Sequence, residues 1–499
     1  MDLMKLQNGS DIRGVALENP DGRPVTLTEE VCRAIGRGLA RWLCREETKA
    51  YRVALGRDCR LSGADVIRWM GEELAAEGML VTDMGRATTP AMFMSTVTEG
   101  YAYDAAVMVT ASHLPFERNG YKFFTPAGGL GSADIKAILT LAAEDRPRLM
   151  GGGAMEQGSF LDTYAAQLRE KIVSATGEEQ PFGGLRIVVD AGNGMGGFYA
   201  DKVLQPLGAD TTGSRFLEPD GHFPNHIPNP EDKEDMASIT AAVRESGADL
   251  GVIFDTDVDR AGAVLSDGSE LNRNRLIALL SAILLREHPG TTIVTDSVTS
   301  SGLAAFIAKR GGVHRRFKRG YKNVINESVR LNAEGCDSQM AIETSGHGAL
   351  KENYFLDDGA YLMTKLLIEL VRCKKAGEKL ENMLSDLAEP VESREFRMNI
   401  LPADFKTYGQ SVLEALAAYA ADRPGWTPEA ENFEGVRVNL DAEHGGGWFL
   451  LRLSLHDPLM PLNIESDLPG GAKRIAAELV PFLVKFDGLD SAALQQYAR

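Results

Sequence analysis

Short apolar runs alternate with amphipathic stretches along most of the chain. Runs such as 51–56, 105–110, 250–254 and 292–295 have the length and apolar composition of buried strands, whereas 63–77 has helical periodicity. A repeated order of strand, loop and helix predicts an α/β fold with parallel or mixed sheets. In such sheets the loops after the carboxyl ends of strands carry the ligand chemistry. Polar loops that follow strands are therefore the first candidates for function.

Length and breaks in composition indicate four domains. The chain has 499 residues, which is too long for one domain at roughly 100–200 residues each. A glycine run at 150–154, the Asp267–Gly268 turn and the break at Pro390 separate blocks of similar size. A helix is predicted over 361–387, just before the last break. The predicted domains are 1–152, 153–265, 266–388 and 389–499.

The charge balance argues against two classes of partner. The chain has 53 basic and 71 acidic residues, for a net charge of −18. Nucleic acid and anionic membranes both need a basic face, so we expect neither partner. A phosphate ligand would also be repelled at long range, so an anion site must be local and built from specific residues.

Five cysteines without a CxxC pair, and no leader or long apolar run, predict a cytoplasmic protein.

The first polar loop holds a candidate nucleophile. Ser112 directly follows the buried strand 105–110, where a side chain is held rigidly and can still be reached. A serine hydroxyl reacts only when a neighbour activates it or when it already carries the group to be transferred. His113 and Lys122 are candidates for proton transfer or for phosphate binding. The alternative is that Ser112 caps the next helix or closes a turn.

The second polar loop has the spacing of a metal site. Asp255, Asp257 and Asp259 follow the apolar strand 250–254 at intervals of two, so in extended backbone their carboxylates point the same way. Such carboxylates repel one another unless a cation lies between them, and oxygen ligands favour Mg²⁺ or Ca²⁺. The required EF-hand glycine and glutamate are absent. Arg260 suits an anion beside the metal, and the alternative is a solvated acidic turn.

Two further loops carry polar groups suited to a sugar phosphate. Glu343 and Ser345 supply acceptors and a donor at the spacing that sugar hydroxyls require. His347 in the same loop is a further candidate, or else a buried structural histidine. Arg452 and Ser454 fit a phosphate held away from the reacting atoms. The alternative for this last loop is a surface hairpin with a capping serine.

A glycine-rich segment supports a different class of function. Gly192–Gly197 follows a strand and matches the GxGxxG pattern of dinucleotide-binding loops. Asp190, however, ends that strand where the pyrophosphate would lie. No GxxxxGK[ST] loop is present for ATP. A nucleotide-dependent oxidoreductase is therefore kept as an alternative.

Taken in order, these loops resemble those of the α-D-phosphohexomutase superfamily. The resemblance extends over essentially the whole chain, and it adds an N-terminal arginine loop and a short basic loop to the four loops above. The matching positions are Asp11–Gly14 with Arg13, Thr110–His113 with Asn119, Gly120 and Lys122, Asp255, Asp257, Asp259, Arg260, Phe317–Gly320, Glu343–His347, Arg452, Ser454 and Pro458.

The resemblance implies both a fold and a reaction. It implies three related α/β domains with mixed sheets and a smaller C-terminal α+β domain around a central cleft. The four predicted domains would carry the phosphoserine, the metal, the sugar-recognition loop and the phosphate-binding loop, in that order. The implied enzyme of carbohydrate metabolism is a hexose-phosphate mutase that interconverts 1-phospho and 6-phospho sugars, mannose and/or glucose. It implies a phosphoserine enzyme, Mg²⁺, a hexose 1,6-bisphosphate intermediate and activator, and a monomer or homodimer.

The resemblance also implies residue roles. The catalytic residues would be Ser112, His113, Lys122 and Arg13. Ser112 would join Asp255, Asp257 and Asp259 at the metal. The substrate would be bound by Arg260, Lys318, Arg319, Glu343, Ser345 and His347. The phosphate that is not reacting would be bound by Arg452, Ser454 and His456.

Three departures from the family pattern affect these expectations. The family usually has glycine where this chain has Thr256 and Val258, and asparagine where it has Leu114. The serine-glycine-threonine-glutamate of the phosphate loop is replaced by residues 454–457, with His456 in place of a hydroxyl. The alternatives are a phosphoglucosamine mutase within the class, and outside it the oxidoreductase or a non-catalytic sugar-phosphate-binding protein.

Overall fold

A computed structural model describes residues 2–18, 22–454 and 457–499. Contacts within the chain define two compact units. Unit 1 contains residues 1–283 and 345–384, and unit 2 contains residues 284–344 and 385–499. Each unit is therefore assembled from separate segments of the chain, and each is described below by itself.

The N-terminal part of unit 1 forms a mixed sheet with helices. Its strands are β1 (Gln7–Asn8), β2 (Asp11–Val15), β3 (Arg52–Arg57), β4 (Leu80–Arg86), β5 (Ala105–Val109), β6 (Arg118–Thr125), β7 (Gly128–Gly129) and β8 (Ala154–Gln157). Its helices are α1 (Glu29–Leu43), α2 (Gly63–Ala76), α3 (Thr89–Val97), α4 (Ser132–Ala142) and α5 (Leu161–Thr176). The strand order is β1-β2-β6-β5-β3-β4-β8, with β7 beside β6. Strands β5, β3, β4 and β8 are parallel, whereas β2 and β6 run antiparallel to their neighbours.

Local sequence explains why these elements form. Helix α1 begins after Thr28, whose hydroxyl accepts a hydrogen bond from the Val31 N–H at 3.4 Å, and acidic residues occupy its first turn. Its buried face carries apolar residues at helical spacing, including Ile35 and Leu39. Strand β5 is buried along its whole length, as a central strand with covered faces should be.

A second sheet in unit 1 positions the acidic loop. It contains β9 (Ile187–Asp190), β10 (Leu250–Phe254), β11 (Ala261–Leu265) and β12 (Glu270–Leu271), in the order β12-β11-β10-β9. Helix α6 (Lys233–Ser246) packs on it. Strands β10 and β11 pair antiparallel from Leu250↔Leu265 to Phe254↔Ala261, so the acidic loop is the short connection between them. Gly268, at φ +81°, turns the predicted hairpin between β11 and β12.

Helix α7 (Arg273–Glu287) leads from unit 1 into unit 2. There β13 (Thr292–Asp296) pairs in parallel with both β14 (Val313–Phe317) and β15 (Ser338–Ile342). Helices α8 (Ser301–Lys309) and α9 (Tyr321–Ala333) connect these strands.

The chain then returns to unit 1. It forms the hairpin of β16 (Gly348–Leu350) and β17 (Leu356–Asp357), and then α10 (Gly359–Ala376). The predicted helix over 361–387 is wrong in extent, because Gly377 takes a left-handed conformation and ends α10. A short 3₁₀ helix, Leu380–Leu384, follows.

The C-terminal part of unit 2 is an antiparallel sheet with helices. Its elements are β18 (Glu392–Asn399), α11 (Phe405–Ala421), β19 (Trp426–Pro428), β20 (Val436–Leu440), β21 (Gly447–Leu451), β22 (Leu459–Ser466), α12 (Gly471–Leu483) and α13 (Ala492–Ala498). The strand order is β18-β22-β21-β20-β19. Leu416 of α11 and Leu479 of α12 pack with Phe449 of β21 in one apolar core.

The predicted fold class is confirmed: α/β regions with mixed sheets are followed by a C-terminal antiparallel-sheet domain. The four domain boundaries stay a prediction. Within the described residues, no helix combines the length and apolar character needed to cross a lipid bilayer.

Candidate active site

Ser112 lies just past the carboxyl end of β5, in a left-handed conformation with φ +50°. Its Oγ donates to Asp255 Oδ2 at 2.8 Å and accepts from Arg260 Nη2 at 3.1 Å. The next element is strand β6, so the alternative that Ser112 caps a helix is wrong. The Ser112 hydroxyl instead lies between the Asp255 carboxylate and the Arg260 guanidinium, two residues of the loop after β10.

The three aspartates of the acidic loop converge. Asp255, Asp257 and Asp259 are buried, and one carboxylate oxygen from each lies within 4.8 Å of the others. Lys122 on β6 is 3.2 Å from Asp257 Oδ2 and forms a close ion pair with Asp259. Thr89 Oγ1 donates to Asp257 Oδ2 at 2.5 Å. The alternative of a solvated acidic turn is wrong, because all three carboxylates are removed from solvent.

The acidic loop fits a divalent cation. Asp257 Oδ1 and Asp259 Oδ1 are buried and accept no hydrogen bond. Burial, together with the negative charges of Asp259 and Asp257, raises the pKa of Asp255 to about 8. A buried cluster with unused oxygen ligands and unfavourable mutual repulsion is suited to a hard cation such as Mg²⁺ or Ca²⁺.

Arg260 joins the acidic loop to the serine. Its Nε donates to Asp255 Oδ2 at 3.0 Å, and its Nη1 donates to Asn229 Oδ1 at 3.2 Å. These contacts, together with burial, fix the orientation of the guanidinium toward Ser112. A fixed guanidinium beside a serine oxygen can bind a phosphoryl group there.

His113 and Arg13 are close to the same serine loop. His113 Nδ1 is 3.4 Å from Ser112 Oγ. Desolvation by the surrounding protein, with the positive charges of Arg260 and Arg13, lowers the pKa of His113 although its side chain still reaches solvent, so the imidazole is neutral at neutral pH. Arg13 donates to the Thr110 carbonyl at 3.1 Å and pairs with Asp11 at 2.8 Å.

His347 has the opposite charge state from His113. Its Nδ1 is 2.5 Å from Asp357 Oδ2 and 3.9 Å from Asp259 Oδ1. Burial disfavours the charged imidazole, but the charges of Asp357 and Asp259 outweigh it and raise the pKa of His347 to about 9. Ser345, in the same loop, is also buried. Both residues belong to unit 1, with Ser112.

The other predicted substrate ligands belong to unit 2. Glu343 Oε1 accepts a hydrogen bond from the Gly320 N–H at 2.6 Å, which ties the sugar-recognition loop to the short basic loop. Arg319 in that basic loop donates its backbone N–H to Glu434 Oε2 at 3.2 Å. Lys318 beside it is exposed.

Arg452 and Ser454 lie on the strand-to-loop corner after β21. Arg452 is buried, and burial lowers its pKa. The negative charge of Glu434 raises this pKa and the positive charge of Arg319 lowers it further, so both groups are close enough to act on Arg452. Ser454 Oγ accepts from the Asp457 N–H at 3.3 Å. His456 lies outside the described residues. The central cleft that the resemblance implies stays a prediction.

Four important residues escaped the sequence reasoning: Arg60, Asn229, Asp357 and Glu434. Arg60 is buried and contacts the serine loop. A signal for it existed, because it follows the carboxyl end of β3, where α/β folds place ligand chemistry. Asn229 and Glu434 lie in loops without a recognised spacing, and Asp357 ends strand β17, so only their contacts identify these three residues.

The space beside the glycine-rich segment is occupied by other residues of the same chain. The Asp190 carboxylate accepts hydrogen bonds from the Gly192 N–H at 2.9 Å and from Ser238 Oγ at 2.7 Å. A Cβ at Gly192 would lie 2.8 Å from His226 and 2.9 Å from Pro228. The glycine therefore permits close packing of the chain against itself.

Comparison with known proteins finds matches to one family along most of the chain. Family descriptions of phosphoglucomutase/phosphomannomutase alpha/beta/alpha domains I, II and III match residues 4–148, 162–268 and 272–391. A phosphoglucomutase of Neisseria gonorrhoeae is 32% identical over 93% of this chain and 94% of its own length. A phosphomannomutase/phosphoglucomutase of Pseudomonas syringae is also 32% identical, over 93% of this chain and 92% of its own.

A solved structure extends the likeness to the fold. The phosphoglucomutase/phosphomannomutase family protein from Burkholderia thailandensis has a TM-score of 0.80 and 27% identity to this chain, covering 97% of this chain and 98% of its own. These matches favour a mutase over an oxidoreductase or a non-catalytic binding protein. The chain belongs to the phosphoglucomutase/phosphomannomutase family of the α-D-phosphohexomutase superfamily, and it is a hexose-phosphate mutase.

Proposed function

We propose that this mutase interconverts the 1-phospho and 6-phospho forms of glucose and mannose through a phosphorylated Ser112. The observation that carries the proposal is the position of Ser112 Oγ, 2.8 Å from Asp255 Oδ2 and 3.1 Å from Arg260 Nη2. A nucleophile between a carboxylate cluster and a fixed cation is arranged for phosphoryl transfer, in which positioning and charge stabilisation supply most of the rate.

The proposed chemistry uses two transfers. The bond between phosphorus and Ser112 Oγ breaks while the free hydroxyl of the sugar phosphate bonds to phosphorus; that hydroxyl loses a proton and Ser112 Oγ takes one up, which gives a serine hydroxyl and a hexose 1,6-bisphosphate. After the bisphosphate has reoriented, its other oxygen–phosphorus bond breaks, that sugar oxygen takes up a proton, and the phosphoryl group returns to Ser112 Oγ. Arg260 binds the phosphoryl oxygens, and Lys122, His113 and Arg13 support the charge or move the proton.

The acidic loop would hold the cofactor of this reaction. Asp255, Asp257, Asp259 and the phosphorylated Ser112 would bind Mg²⁺, which supplies charge neutralisation at the transferring group. The buried, unused oxygens of Asp257 and Asp259 support this assignment.

The remaining residues would recognise the sugar in its two orientations. Glu343, Ser345 and His347 would bind hydroxyl groups, and Lys318 on the short basic loop would assist. Arg319 and Arg452 would bind the phosphate that is not reacting, assisted by Ser454 and His456. The burial of Arg452 near another cation supports this, because a bound dianion would compensate both charges. The predicted domains 1–152, 153–265, 266–388 and 389–499 would each contribute one such loop.

Substitution of Ser112 tests the proposal. Ser112→Ala should lower turnover of glucose 1-phosphate and mannose 1-phosphate by roughly a thousandfold or more, because the phosphoryl carrier is lost. The assay contains Mg²⁺ and a catalytic trace of the bisphosphate, and chelation of the metal should abolish turnover. Intact-mass analysis should find one phosphoryl group on the wild-type Ser112 peptide.

The matched control is Ser281→Ala, which removes a buried hydroxyl that donates to the Ile277 carbonyl at 2.6 Å within α7. This variant should retain activity. Turnover by Ser112→Ala at the wild-type rate would overturn the proposal. Glucosamine 1-phosphate in the same panel distinguishes the alternative substrate, and an absorbance change on addition of NAD would favour an oxidoreductase.

A further inference from the structure

We propose that Arg60 is a positioning residue, which holds the loop of Ser112 in the geometry needed for phosphoryl transfer without touching the substrate. The proposal rests on the function proposed above for Ser112. Arg60 follows β3 and is 1% exposed, so it is fully inside unit 1. It matches none of the loops that identified the other candidate residues.

All five N–H groups of the Arg60 guanidinium are used within the protein. Nη2 donates to two carbonyl oxygens at 2.5 Å each, Nη1 donates to two more at 2.6 and 3.1 Å, and Nε donates to a carboxylate oxygen at 3.2 Å. A guanidinium has no further donor to offer a ligand. The acceptors are the carbonyls of Ser112, Leu114, Pro115 and Arg118 and the carboxylate of Asp58.

Asp58 provides a second connection to the same loop. It is fully buried and accepts a hydrogen bond from Thr110 Oγ1 at 2.8 Å. The same Thr110 hydroxyl oxygen accepts a hydrogen bond from the Ser112 N–H at 3.0 Å. The peptide groups on both sides of the Ser112 Cα are therefore held, one through Thr110 and Asp58 and the other directly by Arg60.

The backbone of Ser112 needs such support. A non-glycine residue at φ +50° lies in a sparsely populated region and costs about 1–2 kcal/mol. Relaxation toward negative φ would rotate the Ser112 carbonyl away from Arg60 and move Oγ away from Asp255 and Arg260. Arg60 would thus set the fraction of molecules in which the hydroxyl is correctly placed.

Lysine cannot replace Arg60 in this role. An ammonium group has three donors on one nitrogen, whereas the guanidinium reaches four carbonyls from two separate nitrogens. Arg60→Lys keeps the positive charge beside Asp58 and removes most of the contacts to the loop. The variant therefore separates the geometric contribution of Arg60 from its charge.

The experiment compares Arg60→Lys with Arg41→Lys. Arg41 is also buried in unit 1. It donates to the carbonyls of Leu141, Glu144 and Arg146 at 2.9–3.2 Å, at the end of α4 and in the loop after it, where no proposed site residue lies. Steady-state kcat and KM, the single-turnover transfer rate from phosphorylated Ser112 and the melting temperature are measured for both variants and the wild type.

We expect Arg60→Lys to lower kcat and the single-turnover rate by about 10–100-fold, because misplacement of a reacting group by about 1 Å has effects of that size. KM should change by less than about twofold. Arg41→Lys should retain the wild-type kcat, although its melting temperature falls by a similar amount.

Two results would overturn the role of Arg60: a wild-type kcat in Arg60→Lys, or equal losses of kcat in both variants. If Arg60→Lys does not fold, Arg60→Gln decides, because its amide keeps N–H donors for the loop carbonyls without a buried charge. A lowered kcat at unchanged KM in Arg60→Gln supports the proposal, and a wild-type kcat contradicts it. Failure of the mutase function itself would be seen separately, as a wild-type protein without turnover or without phosphoryl on Ser112.

Discussion

Val258 is a β-branched residue in a left-handed backbone conformation, at φ +68°, between two carboxylates of the acidic loop. It is fully buried, and its carbonyl accepts a hydrogen bond from the Gly359 N–H at 3.1 Å. Thr256, at the other position where the family usually has glycine, does not have a positive φ. Of the two substitutions, only the one at 258 places backbone strain beside the proposed metal site.

Two substitutions at Val258 should separate strain from packing. Val258→Ala loses buried methyl groups and keeps the strain, whereas Val258→Gly loses slightly more surface but relieves about 1–2 kcal/mol of strain. We therefore expect the glycine variant to be more stable than the alanine variant by about 1 kcal/mol, measured by urea unfolding. An alanine variant that is the more stable of the two would show that the loop is not strained.

At the scale of elements, a partly buried histidine connects the end of strand β9 with the start of helix α6. His226 Nε2 is 3.0 Å from Asp190 Oδ1 on β9, and its Nδ1 is 3.1 Å from Asp235 Oδ1 on α6. Burial disfavours the charged ring, but the two carboxylates outweigh it and raise the pKa of His226 to about 10. Asp235 also accepts from the N–H of Asn229, the residue whose side chain contacts Arg260. The charged ring therefore stabilises a segment that leads to the active site.

This contact predicts a pH dependence of stability. Because the folded pKa of His226 lies above the ordinary value of 6.5, its stabilisation is complete below pH 6.5 and is lost as the pH rises from 6.5 through about 10. The loss should be on the order of 2 kcal/mol, after allowance for solvent screening at the partly exposed ring.

The measurement is the difference in unfolding free energy between wild type and His226→Gln across that pH range. Groups that titrate in both proteins, such as His347, contribute equally and drop out of this difference. The difference in unfolding free energy should therefore shrink toward zero at high pH. A difference that does not vary with pH would mean that His226 is neutral in the folded protein.

At the scale of the whole molecule, the C-terminal region has a core of its own. The buried residues described in its apolar cluster all lie between Met398 and Leu494. Arg437 of that region is buried and donates to the carbonyls of Ser297 and Thr299 at 2.9 and 3.2 Å, all within unit 2. The region thus has an internal core and, in addition, a polar attachment to another part of the same unit.

We predict that a fragment of residues 389–499 folds alone and melts cooperatively, because its core is complete.

Arg437→Gln should destabilise the full chain by about 1–3 kcal/mol, since it leaves two carbonyls without their donor. The same substitution should have little effect on the fragment, where that donor has no such acceptors. Circular dichroism melting checks both, and a fragment without a cooperative transition would show that the core depends on the rest of unit 2.

Local patterns were sufficient for much of the architecture. Strand β10 occupies the predicted residues, and Ser112, Asp255, Asp257 and Asp259 were selected as candidates from their positions after strands. Both inferences used strand periodicity and the ligand chemistry of loops, which are properties of short segments, and the roles of the four residues stay predictions. The end of α10 was mispredicted, because a single left-handed glycine outweighed an otherwise helical pattern.

The partners of these residues depended on contacts across long stretches of sequence. Ser112 meets Asp255 across 143 positions, and Arg60 meets the Ser112 carbonyl across 52. The chain order alone gives no distance between such groups. The α/β class and the choice of candidate reactive groups thus depend on local sequence, whereas the charge of each histidine and the proposed role of Arg60 arise from neighbours that only folding brings together.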